Sequence, residues 1–238
     1  MIREVYSKQF AGVEDGFNPR GKEPGRLENF SDAVFALAIT LLLISTSPPT
    51  NFTQIKRFVY DLLPFMLCIA AIVAIWTQHF IFFYRYGIRN SKIIFLNTLF
   101  LVIVLFYVYP LKFLTRLVLV PFAQITGNRS LLQELTSTIN WSTDMGDLMI
   151  IYGVGYGCIF LILALMYRYA LKNAEVLNLN ELEKFDTRSS MQTNLLMTTI
   201  HVRDRCAYLH EPLVGWYVGR IHLHVVPNSD ADLRRKNG

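Results

Sequence analysis

The sequence predicts an all-α integral membrane protein with four transmembrane helices and a cytoplasmic N-terminus. Three observations carry this. Hydrophobic residues make up 53% of the 238 residues and charged residues only 17%, where a soluble domain averages about 25% charged. The apolar residues gather in four runs free of Asp, Glu, Lys and Arg, at 33–49, 62–84, 93–111 and 148–167. Lys and Arg sit between those runs, where membrane proteins use them to fix orientation.

Residues 1–25 form a polar segment with both signs of charge, predicted to be cytoplasmic and without the features of a cleavable signal peptide. A bilayer core about 30 Å thick needs roughly 20 helical residues, so spans are expected at about 29–49, 60–84, 93–111 and 148–170. The first needs its polar front, Asn29 to Asp32, inside the protein at membrane depth. Pro48 and Pro49 end it, since proline cannot continue a helix. The second run, L-L-P-F-M-L-C-I-A-A-I-V-A-I-W, has no polar face, unlike a soluble surface helix. Arg85, Arg89 and Lys92 fill the loop before the third run. The third connection, 112–147, is long and polar, with 117–122 grazing the interface.

Arg3, Lys8, Arg20, Lys22 and Arg26 precede the first run, whereas the first loop has only Lys56 and Arg57, which favours an N-in orientation. Sequons at Asn51, Asn128 and Asn140 then fall in the two external loops. Residues 173–238 read as a divergent or truncated region. The stretch 195–226 carries Arg203, Asp204, Arg205, Glu211 and Arg220, and each charge at a bilayer centre is costly. His222 and His224 share one face of a strand-like I-H-L-H-V-V; a metal site there competes with a solvated tail. Cys68, Cys158 and Cys206 lack the spacing of a disulfide framework or a zinc site. The net charge of +5 is accounted for by loop cations, which excludes nucleic acid as a partner.

The first span carries the chemistry. Residues 26–32 read Arg26-Leu27-Glu28-Asn29-Phe30-Ser31-Asp32, followed at once by A-V-F-A-L-A-I-T-L-L-L-I. An intramembrane carboxylate is expensive and is expected to be paired and functional; Arg26 lies nearly two turns away on the same side. The alternative is that Ser31 or Asp32 caps a helix starting at Ala33. Leu37, Leu41 and Ile44 recur at i, i+4 and i+7, with Thr40 beside them. This stripe is either ordinary packing or, repeated around an axis, a pore wall whose aliphatic rings gate by dewetting.

R-x-x-x-F-S-D followed by A-[IV]-x-A-[IL]-x-[IL]-T-L-L resembles the transmembrane protein 175 family of bacterial and lysosomal potassium channels. Trp76 and His79 match its W-x-x-H, Asn97 to Pro110 resembles its N-x-L-F-L…P pattern, and Met149-Ile-Ile-Tyr152-Gly153 resembles the start of its fourth span. The resemblance covers 26–172, the expected channel domain. It implies six spans where only four are visible, tetramers with first spans lining the pore, and no carbonyl filter. Gly153-Val-Gly155-Tyr-Gly157 lacks the filter's threonine and reads as small-residue helix packing.

The resemblance further implies a pore constriction at Leu37, Leu41 and Ile44, and potassium preference tied to Thr40. It implies a signature Arg26, Phe30, Ser31 and Asp32 that locks the first span to the second and third through Trp76, His79 and Asn97. The expected function is passive, potassium-preferring conduction by a homo-oligomer in a prokaryotic plasma membrane, or alternatively an endosomal or lysosomal membrane, with no organic cofactor. A non-conducting assembly subunit of the same fold is the competing reading. A membrane enzyme would need His79 with Asp61 or Asp32, a spacing without distinction.

Overall fold

The computed structural model describes residues 17–44, 50–117, 119–127, 129–137 and 144–208, and all regular structure among them is helical. The helices are α1 (Arg26–Ile44), α2 (Phe52–Tyr60), α3 (Leu62–Tyr86), α4 (Ser91–Leu117), α5 (Leu119–Ile125), α6 (Arg129–Ser137), α7 (Asp144–Lys172) and α8 (Glu181–Tyr208). Of these, α1, α3, α4 and α7 are long and apolar enough to cross a bilayer. Pro48, Pro49, Asn128, Asn140, His222 and His224 lie outside the described residues. Asn51 is described, and its side chain accepts the Gln54 amide at 2.9 Å to cap α2.

α1 starts at Arg26, so Ser31 and Asp32 do not cap a helix beginning at Ala33. The physical reason is local. The Glu28 carboxylate turns back to accept the Gly25 amide at 3.1 Å, one half of a capping box, and so satisfies a helix-end donor six residues before Ser31. α1 packs against α3 and α4, which also pack on each other; α7 lies on α4, and α8 lies on α7. Phe35, Ala38 and Leu42 of α1 meet Cys68 and Ile72 of α3 and Phe100, Val104 and Val108 of α4 in one buried cluster.

α3 ends at Gly87, whose left-handed φ of 58° lets its amide reach the Phe83 carbonyl at 2.8 Å. The segment before α1 crosses this end. The Arg20 amide donates to the Arg85 carbonyl at 3.1 Å and the Gly21 amide to the Tyr84 carbonyl at 3.0 Å. A Cβ on Gly21 would lie 2.0 Å from the Phe83 carbonyl oxygen, so only glycine admits so close a crossing.

The glycines of α7 serve two neighbours. Tyr107 of α4 lays its ring over Gly155 and donates its hydroxyl to the Ile151 carbonyl at 3.0 Å, while the Gly157 carbonyl accepts Thr198 of α8 at 3.4 Å. Adding a Cβ at Gly155 brings it within 2.0–2.5 Å of that ring. Gly155→Ala is therefore expected to cost about 1–3 kcal/mol by overpacking. Melting of the detergent-purified protein reads this, and Tyr107→Leu in the same chain should recover part of the loss.

The region after α7 is structured at least to Tyr208. Residues 173–180 turn the chain back, with Asn178 at φ 48°, and α8 runs back along α7 in the most extensive helix contact among the described residues. Its buried stripe is polar: Glu183, Thr187 and Asn194. A reading for apolar runs passes over such a helix.

Candidate functional site

On α1, Glu28, Ser31, Phe35, Ala38 and Leu42 are buried at intervals of three and four residues. The opposite side is open in the single chain. There Phe30 is 60%, Leu37 50% and Ile44 70% exposed, and Thr40 is exposed with its hydroxyl donating to the Ala36 carbonyl at 2.9 Å. Leu41 does not share that side fully, being half-buried against the core. The stripe is thus carried by Leu37, Thr40 and Ile44, with Leu41 at its edge.

The buried side holds a continuous polar chain across three helices. Ser31 donates to the Leu27 carbonyl at 2.9 Å and accepts Nδ2 of Asn97 at 2.9 Å. Asn97 Oδ1 lies 2.7 Å from His79 Nε2. Since the Ser31 hydroxyl is already spent on Leu27, Asn97 must present its amino group to Ser31 and its oxygen to His79, which assigns the proton to Nε2. Ser31, Asn97 and His79 are each at most 2% exposed. Phe35, Phe83 and Phe100 surround the imidazole at ring distances of 5.7, 4.7 and 5.4 Å, so no water competes for these bonds. Beside this chain, Trp76 Nε1 of α3 donates to Asp32 Oδ1 at 2.8 Å.

The structure therefore brings Ser31, Asp32, Trp76, His79 and Asn97 together. It does not pair Arg26 with Asp32. Arg26 is exposed and forms no ion pair among the described residues, because the carboxylate turns to the indole instead. Phe30 is likewise exposed.

Two anchors were not foreseen. Glu28 is buried and paired with Arg89 at 2.9 Å, and Arg89 also donates to the Glu23 carbonyl at 2.7 Å. The available signal was the i, i+3 spacing of Glu28 and Ser31, which puts both on one helix face. Lys112 of α4 donates to the Leu42 carbonyl at 3.3 Å, near the C-terminal end of α1. Among the described residues no group of three or more His, Cys, Asp or Glu could hold a metal ion.

Against known proteins, a family model described as endosomal/lysosomal potassium channel TMEM175 matches residues 26–107, the stretch that holds every member of the polar chain. A protein named "Potassium channel" from Marivirga tractuosa is 41% identical over 212 residues, 89% of this chain and 85% of that one. The chain belongs to the TMEM175 family. Another relative, a potassium channel of Chamaesiphon minutus, is 30% identical over 118 residues, covering 46% of this chain and 58% of its own. The fold matches the crystal structure of a point variant of the potassium channel MtTMEM175, bound to a nanobody–MBP fusion. The TM-score is 0.78 at 37% identity, covering 94% of this chain and 97% of that one. This TMEM175 family member is thus an all-helical membrane protein of a potassium-channel family.

Proposed function

We propose that this chain is one subunit of a potassium-preferring channel, with the open side of α1 facing a shared central path. Leu37 and Ile44 form hydrophobic rings there, Leu41 flanks them, and Thr40 supplies a hydroxyl between them. One lining helix cannot enclose a path, so the subunit works as a homo-oligomer, four by family resemblance. The N-terminus is cytoplasmic and the membrane is a prokaryotic plasma membrane, in keeping with the bacterial relatives.

The observation that carries this reading is a contrast between two open helix faces. α4 exposes Ile94, Phe95, Leu99, Val102, Phe106 and Tyr109, a large apolar surface suited to lipid in which the exposed Thr98 has its hydroxyl spent on the Ile94 carbonyl at 2.9 Å. α1 exposes Asn29, Asp32 and Thr40 with the small Ala33 and Ala36 among its aliphatic residues. Polar groups at membrane depth face protein or a water path. Meanwhile the other side of α1 is held by the Ser31–Asn97–His79 chain, which fixes how the helix is turned. Family relatives carry the name potassium channel, which supplies the ion.

The test is potassium flux into liposomes holding the purified full-length chain. A polar side chain in a hydrophobic constriction lowers the dewetting barrier. Leu37→Asn is therefore expected to raise flux, by about tenfold for each 1.4 kcal/mol removed from the barrier. Thr40→Ala should lower the preference for potassium over sodium. Flux absent from both wild type and Leu37→Asn would leave a non-conducting assembly subunit as the better reading.

A further inference from the structure

We infer that the anchoring turns where α4 begins and α7 ends form a binding site for the headgroup of an anionic phospholipid. Three cations lie at these two helix ends. Lys92 is the second residue of α4, and its ammonium lies 5.8 Å from the centre of the Tyr169 ring on α7. Arg168 and Lys172 flank Tyr169 on α7, and both are exposed. The Tyr169 hydroxyl accepts Nδ2 of Asn90 at 2.5 Å, which holds the two helix ends together.

Among the described residues some cations are paired with carboxylates and others, such as Lys22 and Arg26, are not. Arg20 is paired with Glu183, Arg89 with Glu28, and Lys184 with Glu181. Lys92, Arg168 and Lys172 form no ion pair among the described residues. Glu175 follows three residues after Lys172 but is exposed and is not bonded to it. Arg168 and Lys172 stand at i and i+4, so they repel each other along the helix. A cation at a helix C-terminus offsets the helix dipole, which accounts for Lys172. It does not account for Lys92, which sits at the N-terminal turn of α4, where the dipole favours an anion. A phosphate placed among the three cations relieves both conflicts.

The surroundings suit a lipid. Both helices are membrane-crossing by length and composition, which sets these turns at the bilayer boundary. From them run open apolar stripes, with Phe95 67% exposed on α4 and Leu165 38% exposed on α7. Acyl chains lie along such stripes while the headgroup meets the cations, the arrangement expected of basic clefts between membrane helices.

The experiment uses the full-length chain in nanodiscs of phosphatidylcholine alone or mixed with phosphatidylglycerol, followed by native mass spectrometry of the lipid retained. Wild type is expected to retain phosphatidylglycerol over phosphatidylcholine. The combined variant Lys92→Gln, Arg168→Gln and Lys172→Gln is expected to lose about tenfold or more in phosphatidylglycerol affinity, with phosphatidylcholine unchanged. A control, Lys22→Gln with Lys184→Gln, removes exposed cations elsewhere and should retain the lipid. Helix content by circular dichroism confirms that each variant folds. Equal retention by wild type and the combined variant overturns the site, as does an equal loss in the control.

Discussion

Replacing Asn97 with leucine is expected to cost about 2–4 kcal/mol of stability and to loosen α1 from α3 and α4. Asn97 gives its amino group to Ser31 and its oxygen to His79. Leucine of similar size removes both bonds at once. The Ser31 hydroxyl keeps its own acceptor, the Leu27 carbonyl, so it loses little. His79 is worse placed, because its Nε2 proton is then buried among aromatic rings without a partner. An unpaired buried donor costs about 1–3 kcal/mol, and interhelical hydrogen bonds in membranes average about 0.6 kcal/mol each. Trp76→Phe should cost under about 1 kcal/mol, since Asp32 is exposed in the single chain and keeps access to other partners. Thermal melting in detergent ranks the two variants. If Asn97→Leu melts like wild type while retaining its helix content, the polar chain does not hold α1. A double cycle with Ser31→Ala should show coupling of about 0.5 kcal/mol or more, as expected for residues in direct contact.

The four apolar helices were legible in the sequence because lipid demands that backbone polar groups be satisfied within the segment. Apolar runs of about 20 residues without charge have few other uses. Their ends were less legible. α1 extends back to Arg26 because Glu28 caps the Gly25 amide, and α4 runs past Pro110 to Leu117. The carbonyl of Pro110 accepts the Tyr152 hydroxyl of α7, a tertiary bond with no local signal.

The polar residues of the first span stood out individually, but their partners lie 44 and 66 residues away at Trp76 and Asn97. No periodicity links them, and only family resemblance singled them out. α8 was invisible for the opposite reason. Its buried side is Glu183, Thr187 and Asn194, while Phe185 and Leu196 are among its exposed residues. A hydropathy reading assigns such a helix to solvent, yet Glu183 meets Arg20 and the Asn18 and Asn180 amides, Thr187 meets the Tyr86 hydroxyl of α3, and Asn194 donates to the Ser190 carbonyl. Polar groups can be buried when each is met.

The second large effect is expected at Glu183, which joins α8 to the segment leading into α1. Its carboxylate accepts Arg20 Nη1 at 3.0 Å and Nη2 at 2.9 Å, the Asn18 amide at 2.8 Å and the Asn180 amide at 2.9 Å. Asn180 accepts the Glu183 amide in return, closing a reciprocal cap at the start of α8. Arg20 is held in turn by the carbonyls of Leu177, Asn178 and Asn18. A neutral amide at 183 faces the guanidinium with one acceptor and one misplaced donor. Glu183→Gln should therefore cost about 3 kcal/mol at neutral pH, the range for breaking a buried pair from one side.

Acidity should narrow that difference. Burial, the largest single influence, pushes the Glu183 carboxyl up, but the hydrogen bonds from Arg20, Asn18 and Asn180 together outweigh it and hold the group below its ordinary 4.5. A carboxyl depressed in the folded state adds stability that is complete above the unfolded value and is lost as pH falls through the folded one. Wild type should thus lose this contribution only below pH 4.5, where the melting curves of wild type and Glu183→Gln draw closer. Curves that coincide at neutral pH, or that stay equally far apart on acidification, would show that residues 18–25 are fastened by their backbone bonds to α3, by Arg89 and by the carbonyls that hold Arg20. In that case α8 has no charge-dependent hold on the start of α1.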